Sequence, residues 1–356
     1  MKEEWLNRIA ITWNNRTYLR HVRNILDLYS TATEAVARHP ELITQAALEF
    51  AQKELDFIEK HNIQTYYYKD ETYPYRLLQC PDAPLLLYAK GNMDVNPKHA
   101  ISVVGTRMPS ERGKDWCRQF VLEMAAKVPN LTIVSGLAYG IDVTAHNAAI
   151  EAGIPTIIIP AHGMDRIYPA VHRNVAVKAL NNGGILTEYP SNTEPERYNF
   201  VARNRIIAGM ADAVVIVESK SKGGSLITAQ MAQDYSREIF TLPGRFDDAN
   251  SEGCNNLIKQ QKAQLITQAE DVIEAMLWQM ETKHPTQTSL IELQYDLTDL
   301  QRTLLEKINE SDEGCHVNQL VMEVQLPYNE VATELMMMEV NGIVKSMPGG
   351  MWRKRK

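Results

Sequence analysis

Residues Phe200–Ile227 read FVARNRIIAGMADAVVIVESKSKGGSLI. A helix over Phe200–Met210 carries Arg203 and Arg205, the run Ala213–Glu218 is apolar until its last residue, and Gly223-Gly224-Ser225 opens a second helix. A short apolar run between two helices is the pattern of a buried parallel strand. Loops that follow such strands gather at one end of the sheet. The segment therefore brings guanidinium groups next to free backbone N–H donors, a surface suited to phosphate. Residues two apart on a helix do not share a face. One of Arg203 and Arg205 should reach the sheet-end crevice, and the other should brace the fold or a neighbouring loop.

The same alternation of strand and helix extends in both directions. Apolar strands are expected at Ile101–Gly105, Thr132–Gly136, Thr156–Pro160, Ile185–Tyr189 and Ile239–Pro243, with an extra strand leading in at Leu85–Tyr88. Helix, short strand and helix follow at Cys254–Lys262, Gln264–Thr267 and Gln268–Gln279. This predicts an α/β domain over residues 66–280, with a doubly wound, mostly parallel sheet covered on both faces. Residues 1–65 read as short helices: Leu6, Ile9 and Ala10, then Val22, Ile25 and Leu26, then Ala47, Phe50 and Leu55 recur at helical spacing. Ser30-Thr31-Ala32-Thr33-Glu34 is a helix start. Residues 281–295 are polar and weakly patterned, which suits a linker. Over 296–356, helices around Leu300–Ile308, Val317–Val324 and Tyr328–Val340 precede two short strands flanking Pro348-Gly349-Gly350. Three helices and a hairpin make a winged helix-turn-helix pattern.

A chain of 356 residues with 44% apolar content is long enough for two or three domains. The formal charge of −7 excludes a protein that binds polyanions over its whole surface. Any nucleic-acid surface must be a local basic patch. The four cysteines, Cys80, Cys117, Cys254 and Cys315, are scattered without a C-x-x-C, which fits a reducing, cytoplasmic setting and neither a disulfide framework nor a zinc site. No signal peptide and no membrane-spanning run is expected.

Candidate phosphate-binding residues lie at the predicted strand ends. Gly105 allows a tight turn, Thr106 follows, and Arg107 projects toward the crevice. Ser135-Gly136 opens a glycine-containing loop and a helix, although it is not a G-x-G-x-x-G fingerprint. Within that helix, Asp142 and His146 stand four apart, as a carboxylate-oriented base or as a helix-stabilising pair. Arg166 and Arg173 extend a basic track, and Tyr168 or Phe200 could stack on a base. Asn204 sits between the paired arginines. Lys222, Gly223, Gly224 and Ser225 offer a cation, N–H donors and a hydroxyl, but no G-K-[ST] for a nucleotide-hydrolysing loop. Arg353-Lys354-Arg355-Lys356 is a basic tail that either touches an acidic partner or is simply solvated. No metal-ligand motif or nucleophile elbow is present, and no cofactor or metal is expected.

These residues carry a family resemblance. VVGTR (Val103–Arg107), SGLAYGID (Ser135–Asp142), GMDRIYP (Gly163–Pro169), ILTEYP (Ile185–Pro190), F-x-x-RNRIIAG (Phe200–Gly209), GGSLITA (Gly223–Ala229), LPG (Leu242–Gly244) and GCNNLI (Gly253–Ile258) resemble the DNA-processing protein A family, also called Smf. The resemblance implies an extended Rossmann-like domain that binds single-stranded DNA, a homodimer in the cytosol, and a winged-helix domain at the C-terminal end. It further implies a protein that protects incoming strands in natural transformation, displaces single-strand-binding protein and loads the RecA recombinase. Family DNA contacts map onto Arg107, the Gly136 loop, the Arg173 region, Arg203, Arg205 and Gly223–Ser225. One departure stands out. Family N-terminal domains often carry a glycine-rich helix-hairpin-helix or SAM-like pattern, whereas residues 1–65 contain no glycine and Trp13-Asn14-Asn15-Arg16 stands where the hairpin would be. A helical, SAM-like docking domain is expected there instead.

Two other readings compete. Related Rossmann-like phosphoribohydrolases use P-G-G-x-G-T-x-x-E; here Lys222-Gly223-Gly224-Ser225-Leu226 is followed by Ile227-Thr228-Ala229-Gln230, without the carboxylate. This argues against an enzyme. A transcription factor would read duplex DNA through the winged helix, but Glu330, Glu334 and Glu339 make its recognition helix a poor match for a DNA groove.

Overall fold

The computed structural model describes residues 2–15, 19–278, 297–309, 314–347 and 349–354. The expected linker 281–295, Arg16 of the hairpin position, and Arg355 and Lys356 of the tail lie outside these residues. The chain divides into two compact units, Met1–Glu281 and Thr282–Lys356.

The first unit begins with helices α1 (Lys2–Asn14), α2 (Leu19–Leu26), α3 (Ala32–Arg38) and α4 (Gln45–His61). Strand β1 (Gln64–Tyr67), helix α5 (Tyr75–Leu78) and strand β2 (Leu86–Asn92) lead into the repeating part. There follow β3 (His99–Val104), α6 (Glu111–Lys127), β4 (Leu131–Ser135), α7 (Ile141–Glu151), β5 (Thr156–Ile158), α8 (Arg173–Ala179) and β6 (Gly183–Thr187). Then come α9 (Arg197–Gly209), β7 (Ala213–Ile216), α10 (Gly224–Asp234), β8 (Glu238–Thr241), α11 (Glu252–Lys259), β9 (Gln264–Leu265) and α12 (Ala269–Ala275). The nine strands form one sheet in the order β1-β2-β6-β5-β4-β3-β7-β8-β9. Strands β3 to β9 pair in parallel, while β1–β2 and β2–β6 are antiparallel. The expected doubly wound α/β fold is thus present.

Several expected strands stop short of their apolar runs. β3 ends at Val104 and β7 at Ile216, because the next residues leave the ladder for the loops at the sheet's end. Strand β1 was not predicted; QTYY has no clean alternation, and it lies at the sheet edge against β2. The N-terminal helices do not keep a core to themselves. Ile9, Leu26, Ala51 and Ile58 belong to one apolar cluster with Tyr67, Leu86, Ile206 and Ile216. A second cluster, on the other side of the sheet, joins Phe120, Met124, Ile141 and Val272 to Ile101, Val103 and Val215.

Polar ties lock the helical layer down. Arg8 reaches Asp70 with contacts of 3.1 Å, and its guanidinium lies 4.6 Å from the Trp5 ring centroid and 4.3 Å from that of Tyr67. Glu54, buried on α4, accepts from Ser191 N–H at 2.9 Å and Ser191 Oγ at 2.5 Å. Arg76 pairs with Asp212 at 2.7 and 2.9 Å and donates to the carbonyls of Pro97 and Lys98. All four cysteines are buried and unbridged. Among the described residues no helix is long and apolar enough to cross a membrane.

The second unit contains α13 (Asp299–Asn309), β10 (Cys315–His316), α14 (Val317–Val324), α15 (Tyr328–Val340), β11 (Val344–Met347) and β12 (Met351–Lys354). The strands order β10-β12-β11, and the core gathers Leu304, Leu320, Leu335, Met338 and Trp352. This is the expected winged helix. Strand β10 was not foreseen: its two residues pair only because β12 lies alongside. On α15, Met338 is core, while Met336 and Met337 are exposed.

The start of α3 shows how one carboxylate organises the N-terminal layer. Thr31 caps the helix by accepting from Glu34 N–H. Glu4, from α1, accepts from Ala32 N–H, Thr33 N–H and Thr33 Oγ1 at 2.6–2.9 Å, and from Arg8 Nε at 2.9 Å. Burial pushes this carboxyl up, but those hydrogen bonds outweigh burial and hold it at about 2. A depressed carboxyl stabilises the fold above its ordinary value near 4.5 and loses that contribution as pH falls toward 2. Discounted for partial exposure, Glu4→Gln should cost about 1–2 kcal/mol at neutral pH. Chemical denaturation across a pH series should also show a shallower acid limb in the variant between those two values.

Candidate nucleic-acid interface

The chain runs β3, β4, β5, β6 outward on one side, then returns and continues through β7, β8 and β9 on the other. The direction reverses between β3 and β7. At such a switch point the loops leaving adjacent strands part and leave a crevice at their carboxyl ends. A crevice of about 640 Å³ lies there, lined by Gly105, Thr106 and Arg107 after β3, by Ser219, Lys220 and Lys222 to Ser225 after β7, and by one face of α9. Backbone bonds join the two loops: Thr106 N–H donates to Glu218 O at 2.7 Å. Glu218 also turns its carboxylate to the start of α6, accepting from Ser110 N–H at 2.9 Å and Ser110 Oγ at 2.5 Å.

The centre of the crevice is a ring flanked by two cations. The Phe200 ring lies 5.2 Å from the Arg107 guanidinium and 5.9 Å from that of Arg203. Tyr168 packs against the same ring at 5.8 Å. Arg107 is exposed, whereas Arg203 is 3% exposed. Arg203 Nη1 donates to Gly136 O at 2.9 Å, and its Nε has no hydrogen-bond partner. Burial pulls this guanidinium down to about 10, against the opposing pull of Asp142. It therefore stays charged at neutral pH. Burial likewise pushes Asp142 up, offset by Arg203, by the N–H groups of Ala138 and Gly136, and by Arg107. Across the crevice, α10 begins at Gly224 with no side-chain cap; Leu226 N–H donates to Gly223 O at 3.1 Å, which leaves the N–H groups of the lining residues Gly224 and Ser225 at the helix start. Ser225 Oγ donates to Ser219 Oγ at 2.9 Å and so tightens the loop.

The structure sorts the expected site residues into three groups. Gly105, Thr106, Arg107, Phe200, Arg203, Asn204, Lys222, Gly223, Gly224 and Ser225 line the crevice. Ser135 and Gly136 lie beneath it: Ser135 Oγ donates to Val103 O, and Gly136 supports Arg203. Arg205, Arg166 and Arg173 do not line it. Arg205 points from the opposite face of α9, paired with Glu188 and donating to Asp82 O. Arg166 is engaged by Asp165 and Glu194, and Arg173 is exposed at the start of α8. Of the paired arginines, Arg203 is thus the crevice residue and Arg205 the brace.

Asp142 and His146 also part company. His146 is buried with Nδ1 2.7 Å from Thr156 Oγ1, and burial pushes it down to about 3. Asp142 belongs to the crevice. Two lining cations were not singled out from sequence, Arg197 and Lys220. Arg197 precedes Phe200 by one helical turn and Lys220 precedes Lys222 in the same loop, so helical spacing and loop position held the signal.

The fold is that of a Rossmann-like α/β protein with an appended winged helix. The chain belongs to the DNA recombination-mediator protein A family, whose model matches residues 64–277, and the DprA winged helix domain matches residues 291–350. It is 34% identical over 319 residues to protein Smf of Escherichia coli (strain K12), covering 88% of this chain and 84% of that protein. DNA processing protein DprA of Streptococcus pneumoniae is 39% identical over 204 residues, covering 57% of this chain and 71% of the relative. An X-ray structure of DprA from Streptococcus pneumoniae superposes with a TM-score of 0.60 at 31% identity, covering 76% of this chain and 92% of that one. The DNA processing protein A of Helicobacter pylori, whose structure is described for its single-stranded DNA binding mode, superposes with a TM-score of 0.54 at 30% identity over 60% of this chain and 95% of that one.

A Cβ on Gly136 would lie 2.7–2.8 Å from the Arg203 guanidinium atoms. Arg203 is enclosed and cannot swing aside. Gly136→Ala should therefore destabilise the protein by about 1–3 kcal/mol, the usual cost of overpacking. Thermal denaturation beside the wild type checks this.

Proposed function

We propose that this protein is a non-enzymatic, sequence-independent binder of single-stranded DNA that mediates recombination. The observation that carries the reading is Phe200 flanked by the Arg107 and Arg203 guanidinium groups, facing the uncapped start of α10. Guanidinium and N–H donors hold phosphates whatever the base, and an aromatic face stacks on any base. The single-stranded DNA binding ascribed to the Helicobacter pylori protein supports the same reading. Protection of incoming strands, RecA loading, displacement of single-strand-binding protein, homodimerisation and a cytosolic setting complete the proposal by family membership.

The chemistry of the crevice favours binding over turnover. The loop after β7 lacks the carboxylate of the phosphoribohydrolase motif. His146 is turned to Thr156 and is held neutral, so it is not a base oriented by Asp142. Residues 315–344 of the winged helix contain no Lys or Arg, which argues against duplex reading there.

Binding to a dT oligonucleotide of about twenty nucleotides, followed across a salt series, tests the proposal. The wild type should bind with a steep salt dependence. Arg107→Ala should weaken binding by about 1–3 kcal/mol and reduce the salt slope. Equal binding by wild type and variant would remove the crevice as a DNA site. Release of free base from nucleoside monophosphates would move the protein to the enzymes.

A further inference from the structure

The loop between β8 and α11 carries an aromatic side chain that the crevice does not use. Phe246 is 96% exposed, more than any other large apolar residue among those described. Its loop is braced. Gly244 exchanges hydrogen bonds with the Asn255 side chain at 3.1 Å, Asp248 N–H donates to Arg245 O at 3.2 Å, and Ser251 Oγ donates to the Asp248 carboxylate at 2.6 Å.

Two bonds fasten this loop to the crevice wall. Ser219 N–H donates to Asn250 O at 2.7 Å, and Asn250 Nδ2 donates to Met108 O at 3.2 Å. Ser219 lines the crevice, and Met108 follows Arg107 with 70% of its surface exposed. Met108, next to the crevice residue Arg107, and Phe246 are therefore exposed apolar side chains on loops tied to each other at the carboxyl ends of β3 and β8. Strand spacing sets the ends of β3 and β8 roughly 10 Å apart. Exposed cations lie nearby, Arg107, Arg112, Lys220 and Lys222. The acids of the loop are already engaged, Asp247 by Arg245 and Asp248 by Ser251 and Asn250 N–H.

A single exposed apolar residue is ordinary. An exposed phenyl ring on a braced loop that bonds to the wall of a basic crevice, with cations nearby, has the form of a stacking platform for single-stranded nucleic acid. We propose that Phe246 is a second such platform, taking a base of the strand after it leaves the crevice over Met108. This rests on the crevice reading given above.

Fluorescence anisotropy with the full chain tests it, using labelled dT oligonucleotides of about two nucleotides, too short to run from Phe200 past Met108 to Phe246, and of about twenty. Phe246→Ala should weaken the longer oligonucleotide roughly five- to fiftyfold and leave the shorter at wild-type affinity. Phe246→Trp should retain affinity and add a tryptophan signal, relative to wild type, that is quenched by the longer oligonucleotide. Unchanged binding of the longer oligonucleotide by Phe246→Ala, with Arg107→Ala impaired, would overturn the platform and leave the crevice standing. Equal weakening at both lengths would overturn it too, because Phe246 would then act through the crevice. Wild-type binding by both variants would remove the crevice reading, and the platform with it.

Discussion

A buried, charged guanidinium at the end of a parallel sheet is the constraint on which this architecture turns. Arg203 is taken out of water, and an unpaired buried charge is among the costliest features a fold can carry. The Gly136 carbonyl, the Asp142 carboxylate and the Phe200 ring share that charge between them. Each comes from a different loop or helix, so the positions of the β4 loop, α7 and α9 are mutually dependent. The Arg203 Nε, buried without a hydrogen-bond partner, is a donor that the fold leaves unused. A cation held this way needs little reorganisation to meet an anion, which is the usual advantage of a preorganised binding group.

The reversal of strand order between β3 and β7 explains why this constraint sits beside an open cavity. The exposed Arg107 and the buried Arg203 then approach one ring from different elements, one adaptable and one rigid. On a chain of net charge −7, the exposed Arg107, Lys220 and Lys222 make the crevice locally basic. The second unit is chemically distinct, with four glutamates and no basic residue over α14 and α15.

Much of the fold was legible because its periodicities are strong. Continuous apolar runs between helices announced a parallel sheet, and helical spacing with a terminal hairpin announced the winged helix. Strands β1 and β10 are not legible in the sequence: they are short edge segments whose pairing is made by their neighbours β2 and β12 and not by their own composition. The texture change near residue 65 did not mark a separate core, since apolar faces from α1 to α4 close directly over the sheet.

For the site, sequence alone determined the residue types: arginines on a helix, glycines at strand ends and a Gly-Gly-Ser loop before a helix, all at the spacing a sheet end requires. It also determined that Arg203 and Arg205 face apart, because a helix turns about 100° per residue. Only the tertiary structure decided which of the two enters the crevice. Glu188 and Asp82 come from segments distant in the chain, and they claim Arg205 before it can reach any other anion. In the same way, Asp165 and Glu194 claim Arg166, and Thr156 turns His146 away from Asp142. Except for Asp165, which neighbours Arg166 in the chain, these partners come from other elements of the fold, and no local pattern encodes them.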